Sequence, residues 1–219
     1  WLADQEVRTV KELFTAMSVY SANDATVALA ETIAGDETTF VAMMNEKAQQ
    51  MGLADTHFLN STGLPQEMYP DPPQVEGKHL MSAKDSATLG RYLITDFPGI
   101  TEFTTIDKQT FREGENGAID MVNWNRMISG LEHAYEGVDG LKTGNTDDAG
   151  FCFTGTAVRD DMRLITVVMG AESQSKRFEE TKKLLDYGFE NYELHNFLAG
   201  KSTVPGYETV AVTGGKETE

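Results

Sequence analysis

Asp139-Gly140-Leu141-Lys142-Thr143-Gly144-Asn145 reads as the end of a short strand that delivers a cation, a hydroxyl and a bare backbone to one spot. Asn145-Thr146-Asp147-Asp148, which overlaps its end, is rich in turn formers. The Lys142 ammonium attracts a carboxylate or a developing oxyanion, Thr143 can donate a hydrogen bond, and Gly144 has no side chain to keep another backbone away. An edge of this kind suits the C-terminus of a peptide. Taken without its surroundings the same stretch is a surface strand end with a solvated lysine, so the rest of the chain decides.

Outward toward the C-terminus, Phe151 to Val158 and Met162 to Met169 are apolar runs joined by Arg159-Asp160-Asp161, the pattern of a hairpin. Arg177 to Tyr192, with Phe178, Leu184, Leu185 and Phe189, has the spacing of a closing amphipathic helix. Toward the N-terminus, Asn123-Trp124-Asn125-Arg126 shows no periodicity, Gly114 to Gly117 reads as a turn, and Ile100 to Phe111, rich in Thr, Ile and Phe, reads as strand. Ser82-Ala83-Lys84-Asp85 reads as a capping box opening a helix that runs to Phe97-Pro98. Pro65 to Gly77 holds four of the six prolines and reads as a surface loop.

The first fifty residues are helical in pattern. Val7, Val10, Leu13, Phe14 and Met17 mark one face of a helix ending near Ser18. Asp24 to Ala34 is apolar enough to predict burial on most sides, with Gly35 as its stop; Phe40 to Met51 forms a third helix stopped by Gly52 in a left-handed cap. Ser21 and Asn23 fall in the short connection between the first two helices, where they can act as helix N-caps or be aimed into a cleft. Helices, then antiparallel strands, then a helix give an α+β layered domain.

Composition narrows the function. Net charge −17 argues against nucleic acid, because a phosphate backbone requires a cationic face. The single cysteine, Cys152, rules out an internal disulfide framework; set between Phe151 and Phe153 it is expected to be buried and inert. His57, His79, His133 and His195 lack metal-ligand spacing, and neither metal nor cofactor is expected. No apolar run approaches a membrane span and no signal peptide opens the chain, whose start at Trp1-Leu2-Ala3 reads as an interior segment.

Ser21-Ala22-Asn23 and Lys142-Thr143-Gly144 stand in the order and separation seen in penicillin-interacting serine enzymes. With Met51-Gly52-Leu53, Thr56-His57-Phe58, Gly63-Leu64, Ala149-Gly150-Phe151, Met162-Arg163-Leu164-Ile165 and Lys182-Lys183-Leu184-Leu185, the chain resembles the serine D-Ala-D-Ala carboxypeptidases, the low-molecular-mass penicillin-binding proteins, over nearly its whole length. The resemblance implies an antiparallel sheet with helices on both faces and a helical subdomain beside the cleft. It implies a peptidoglycan pentapeptide ending in D-Ala-D-Ala as substrate, β-lactam antibiotics as ligands, and a place outside the cytoplasmic membrane, anchored only through a segment outside this chain.

The family's nucleophile and base lie in a Ser-x-x-Lys helix some tens of residues before the Ser-x-Asn loop, and only twenty residues precede Ser21 here. The expectation is a catalytic domain missing its N-terminal portion, over 1–200, with 201–219 as the start of a truncated C-terminal β domain or linker. Ser173-Gln174-Ser175-Lys176 matches the pattern in the wrong order and is read as chance. By resemblance, Ser21 relays a proton to the departing amine, Lys142 holds Ser21 and supplies positive potential, and Asn23 binds the substrate amide or orients the lysine. Thr143 and Arg177 take the terminal carboxylate, Gly144 lines the substrate, and the Asn145 N–H forms half of the oxyanion hole at a position where relatives often have His. A β-lactamase or esterase of the same fold and a non-catalytic peptidoglycan-binding module are the alternatives.

Overall fold

The computed structural model describes residues 2–195, so the tail beginning at Val204 and the proposed 201–219 segment lie outside the described residues. Helix α1 (Val10–Tyr20) starts at a reciprocal cap: Thr9 Oγ1 accepts the Glu12 N–H at 3.2 Å, and the Glu12 carboxylate accepts the Thr9 N–H at 2.8 Å. That cap leaves Val7 outside the helix and 91% exposed, and Val10 is exposed too, against the periodicity reading. Two satisfied backbone donors outweigh one further apolar turn. The buried face is Leu13, Ala16 and Val19, and the helix runs to Tyr20 rather than stopping near Ser18.

Helix α2 (Asn23–Ala34) stops at Gly35, whose φ of 89° belongs to the left-handed side. Burial on most sides is not found: Ala25, Leu29 and Ala30 are buried while Ile33 is open. Helix α3 (Glu37–Gln50) is capped by Asp36 and followed by Gly52 at φ 70°, as expected. The stretch from 54 to 80 is irregular, with an antiparallel bridge between His57 and Leu80 and a 3-10 turn at Gln66–Met68.

Helix α4 (Ala83–Asp96) has half of the predicted box. Ser82 Oγ accepts the Asp85 N–H at 3.2 Å, but the Asp85 carboxylate turns away to accept the Asp55 N–H and the Thr56 hydroxyl, each at 2.8 Å. The expected strand over Ile100 to Phe111 is helical in its first half, a 3-10 turn at Pro98–Ile100 leading into α5 (Thr101–Thr104). The threonines that raised the strand propensity bond locally instead: Thr105 Oγ1 donates to Thr101 O at 2.6 Å and Thr101 Oγ1 to Pro98 O at 3.1 Å. Only β1 (Lys108–Phe111) remains strand, paired antiparallel with β2 (Ile119–Val122) across the glycine turn.

The main sheet is β3 (Val138–Thr146), β4 (Gly150–Arg159) and β5 (Met162–Ala171), antiparallel and in that spatial order. Lys142-Thr143-Gly144 are therefore mid-strand, and Asn145 and Thr146 extend β3 instead of turning. Asp160 (φ 47°) and Asp161 (φ 63°) make the two-residue left-handed turn that a tight hairpin requires. Helix α6 (Gln174–Asn191) begins three residues before Arg177 because Ser173 caps it, accepting the Lys176 N–H at 3.1 Å.

Helices cover both faces of the sheet. Neighbouring residues on a strand point to opposite faces. A Cβ on Gly188 of α6 would collide with Leu164, and one on Gly90 of α4 would lie 3.6 Å from Ile165, so the two helices sit on opposite sides of β5. The sheet-side core is Met127, Ile128, Phe153, Ala157, Phe178 and Leu185. A second core joins α1 and α2 to the small hairpin through Leu13, Val19, Leu29, Phe111 and Met121. The α+β architecture expected from the sequence is the one observed.

Candidate active site

Where α1 ends, Ser21 takes a left-handed backbone conformation (φ 58°, ψ 38°) with its N–H on Ala16 O. A non-glycine residue there costs roughly 1 kcal/mol or more and persists only when its surroundings impose it. Neither Ser21 nor Asn23 is a helix N-cap. Ala22 occupies that position and makes no side-chain cap bond. The Ser21 hydroxyl is thus left to Lys142, 121 residues further along, whose Nζ donates to Ser21 Oγ at 2.8 Å. Lys142 Nζ also donates to Thr143 O at 2.8 Å.

The clamp behind this contact comes from Asn123-Trp124-Asn125, a stretch to which the sequence reading gave no role. Trp124 donates from its backbone to Val19 O at 3.1 Å and from Nε1 to Tyr20 O at 3.0 Å, satisfying carbonyls that the last turn of α1 leaves open. Asn123 Nδ2 donates to Thr104 O and Ile106 O at 3.2 and 2.8 Å, its Oδ1 accepts the Asn125 N–H at 2.8 Å, and Asn125 Nδ2 donates to Gly140 O at 3.4 Å. One segment therefore fixes the end of α1 against the start of β3. The available signal was two amides flanking a large aromatic with no periodicity, a combination that is buried only when its hydrogen bonds are made.

Lys142 is exposed by area, yet protein atoms crowd its ammonium. Desolvation, then repulsion from Arg177, lowers its pKa, and solvent reaching the side chain opposes that fall. Thr143 lies opposite Phe153 and is buried. Gly144 has no positive φ, and a Cβ there would meet nothing closer than Cys152 Cβ at 4.0 Å, so the fold itself does not require glycine. Asn145 is exposed opposite Phe151.

Arg177 is only 3% exposed. It stands behind β3, with Nη1 donating to Gly144 O at 3.1 Å and to Cys152 O at 3.5 Å and its guanidinium 4.8 Å from the Phe178 ring centroid. Burial, with Arg126 adding to it, lowers Arg177 to about 10. Asn23 opens α2 with an exposed side chain and makes no hydrogen bond to Ser21 or Lys142. Cys152 is half-buried rather than buried, its Sγ 3.4 Å from Ala149 O. Ser173 is occupied in capping α6, and Lys176 pairs with Glu179 and Glu180, so their Ser-x-x-Lys pattern belongs to a helix start.

Charge and edge define what the site can hold. Arg8, Arg112, Arg163, Lys176, Lys182 and Lys183 form ion pairs, and Arg126, Lys142 and Arg177 are among the ten described lysines and arginines that form none. What distinguishes Arg126 and Arg177 is a buried Nε with no hydrogen-bond partner among the described residues. β3 is an edge strand, and Asp139 O and Gly140 O are covered by Thr104 Oγ1 (2.5 Å) and Asn125 Nδ2 (3.4 Å). From Leu141 onward no strand of the described residues lies alongside that edge. An extended peptide could add there through main-chain bonds, its carboxylate toward the cations. Among the described residues no cluster of His, Cys, Asp and Glu could hold a metal ion, and no helix is long and apolar enough to cross a membrane.

Comparison with known proteins gives the family and the fold. A family profile described as D-alanyl-D-alanine carboxypeptidase matches residues 1–173. The D-alanyl-D-alanine carboxypeptidase DacF of Bacillus subtilis is 39% identical over 204 residues, covering 93% of this chain and 49% of that protein. A peptidoglycan synthesis regulatory factor from Streptococcus pneumoniae superposes with a TM-score of 0.77 at 38% identity, over 85% of this chain and 52% of that one. The ampicillin-bound penicillin-binding protein D2 of Listeria monocytogenes superposes with a TM-score of 0.71 at 33% identity, over 85% and 70%. The chain spans about half the length of the curated relatives it matches.

Proposed function

Since the chain belongs to the D-alanyl-D-alanine carboxypeptidase family, we propose that the whole protein is a serine-type carboxypeptidase that removes the terminal D-alanine from peptidoglycan stem peptides, and that β-lactams acylate the same centre. The observation that carries this reading is the 2.8 Å contact between Lys142 Nζ and the hydroxyl of Ser21, whose backbone is left-handed, at an open strand edge.

In this mechanism a serine carried outside these residues attacks the penultimate D-alanine carbonyl, and its lysine partner takes the proton. The C–N bond breaks as Ser21 relays that proton from the lysine partner to the departing amine, and Lys142, hydrogen-bonded to Ser21 Oγ, holds the hydroxyl and favours the negative charge that develops nearby. Water then hydrolyses the ester. The stem peptide lies along the free edge of β3, where the Asn145 N–H completes the oxyanion hole, Asn23 meets the peptide amide, and the absence of a side chain at Gly144 admits the substrate backbone. Thr143 and Arg177 set the position of the terminal carboxylate, Arg177 chiefly by holding Gly144 O at 3.1 Å. The substrate places the reaction outside the cytoplasmic membrane, with any membrane attachment supplied outside these residues.

The test is intact-mass and turnover analysis of the full-length protein with benzylpenicillin and with a pentapeptide ending in D-Ala-D-Ala. A long-lived penicilloyl adduct and release of one D-alanine are expected, both strongly reduced in Ser21→Ala. Rapid penicillin turnover without an adduct would make it a β-lactamase, and neither adduct nor release would make it a binding module.

A further inference from the structure

We propose that Arg126 is a second arginine of the anion subsite, acting beside Arg177 to select substrates that end in a free carboxylate. The inference rests on the carboxypeptidase reading and adds to it a residue that the sequence motifs do not mark.

Arg126 follows directly on the Asn-Trp-Asn clamp, so its backbone inherits the rigidity of a segment tied to both α1 and β3. Its guanidinium lies 5.7 Å from the Trp124 ring centroid, stacked on a side chain whose indole N–H is itself fixed to Tyr20 O. The Nε of Arg126 is buried without a hydrogen-bond partner in the chain, and so is the Nε of Arg177. The His133 N–H donates to Arg126 O at 2.9 Å and the His133 ring lies 5.3 Å from the Phe178 ring, whose centroid is 4.8 Å from the Arg177 guanidinium, so the two arginines share one neighbourhood, and Arg126 adds to the lowering of Arg177.

Two like charges with buried, unanswered donors are costly. Thirty-five acidic residues were available to this sequence. None forms an ion pair with either arginine among the described residues. A bound carboxylate offers two oxygens with about four lone-pair sites, enough to accept from both arginines at once. Because Arg177 Nη1 already holds Gly144 O, an anion answering both groups lies beside β3 at the Gly144 end, where an extended peptide on that edge would finish.

The test uses the full-length protein and a matched pair of acyl-D-Ala-D-Ala peptides, one with a free C-terminal carboxylate and one amidated. Wild type is expected to prefer the free acid. Arg126→Gln should raise the KM for the acid about tenfold, equivalent to about 1.4 kcal/mol, with kcat changed less than about twofold and the amide unaffected. Arg126→Lys should restore part of the preference. If wild type does not distinguish the peptides, the carboxylate reading of the whole edge fails; if it does and Arg126→Gln keeps the full preference, the role of Arg126 alone fails. A measurement without substitution guards against a variant that does not fold. Titrating acetyl-D-Ala-D-Ala should shift the arginine Nε–H resonances of both Arg126 and Arg177, and movement of Arg177 alone would overturn the proposal.

Discussion

At the scale of the residue, Lys142 is the cation in contact with Ser21 whose proton is held less tightly than an ordinary lysine's. Its ammonium, lowered by desolvation and by Arg177, loses its proton at a lower pH than an ordinary lysine, so the positive charge beside Ser21 is present on the acid side of that transition and lost as pH rises through it. Acylation of the full-length protein by a β-lactam should therefore fall on the alkaline side, at a pH below the ordinary lysine range, read as the labelling rate across a pH series. Lys142→Arg, which keeps its charge at every accessible pH, should remove that limb even if the rate is lower throughout. A limb that stays in Lys142→Arg would assign it to another group. Gly144 gives the complementary test, because nothing in the fold opposes a methyl there while the proposed substrate does. Gly144→Ala should leave thermal stability within about 0.5 kcal/mol of wild type and abolish most penicillin labelling. Gly188→Ala, which drives a methyl into Leu164, should cost about 1–3 kcal/mol in denaturant melts.

At the scale of the element, much of the pattern was legible and its exceptions have local causes. The Asp160-Asp161 turn and the Gly52 cap are dictated by nearest neighbours, and they stand where the sequence put them. The misread boundaries are those where a side chain had two uses for its polar atom. Thr9 and Glu12 moved the start of α1, Ser173 moved that of α6, and the threonines at 101 and 105 turned strand propensity into helix. The Ser21–Lys142 convergence was legible only through family resemblance, since periodicity says nothing about pairs 121 residues apart. The clamp and Arg126 were not legible, because a non-periodic Asn-Trp-Asn-Arg reads as loop until its tertiary hydrogen bonds are seen. Trp124→Phe isolates that clamp: it removes the indole N–H from Tyr20 O and keeps the packing. Stability should fall by about 1 kcal/mol. The acylation rate of the full-length protein should fall several-fold at a temperature where the variant remains folded, and an unchanged rate would reduce Trp124 to a packing residue.

At the scale of the molecule, the site lies on a seam. Ser21 belongs to the helical half, whose core is Leu13, Ala16, Val19, Ala22, Ala25, Leu29, Phe111 and Met121, and Lys142 belongs to the sheet, whose core gathers around Phe153, Phe178 and Leu185. The two are joined across the site by the lysine–serine contact and by the Asn123 to Asn125 hydrogen bonds. Separate cores joined by few polar links open separately, at different free-energy cost. Leu13→Ala and Leu185→Ala each remove a buried side chain and should each cost about 2–5 kcal/mol locally. If the halves are distinct units, Leu13→Ala lowers amide protection in α1 and α2 while β4 and β5 keep theirs, and Leu185→Ala does the reverse. Native-state hydrogen exchange followed by mass spectrometry distinguishes these patterns. The activity consequence separates them further, since loosening either half moves one partner of the 2.8 Å contact and should reduce β-lactam acylation before global unfolding. Equal loss of protection in both halves from either substitution would mean one cooperative unit, and the seam would then be a division of packing without a division of stability.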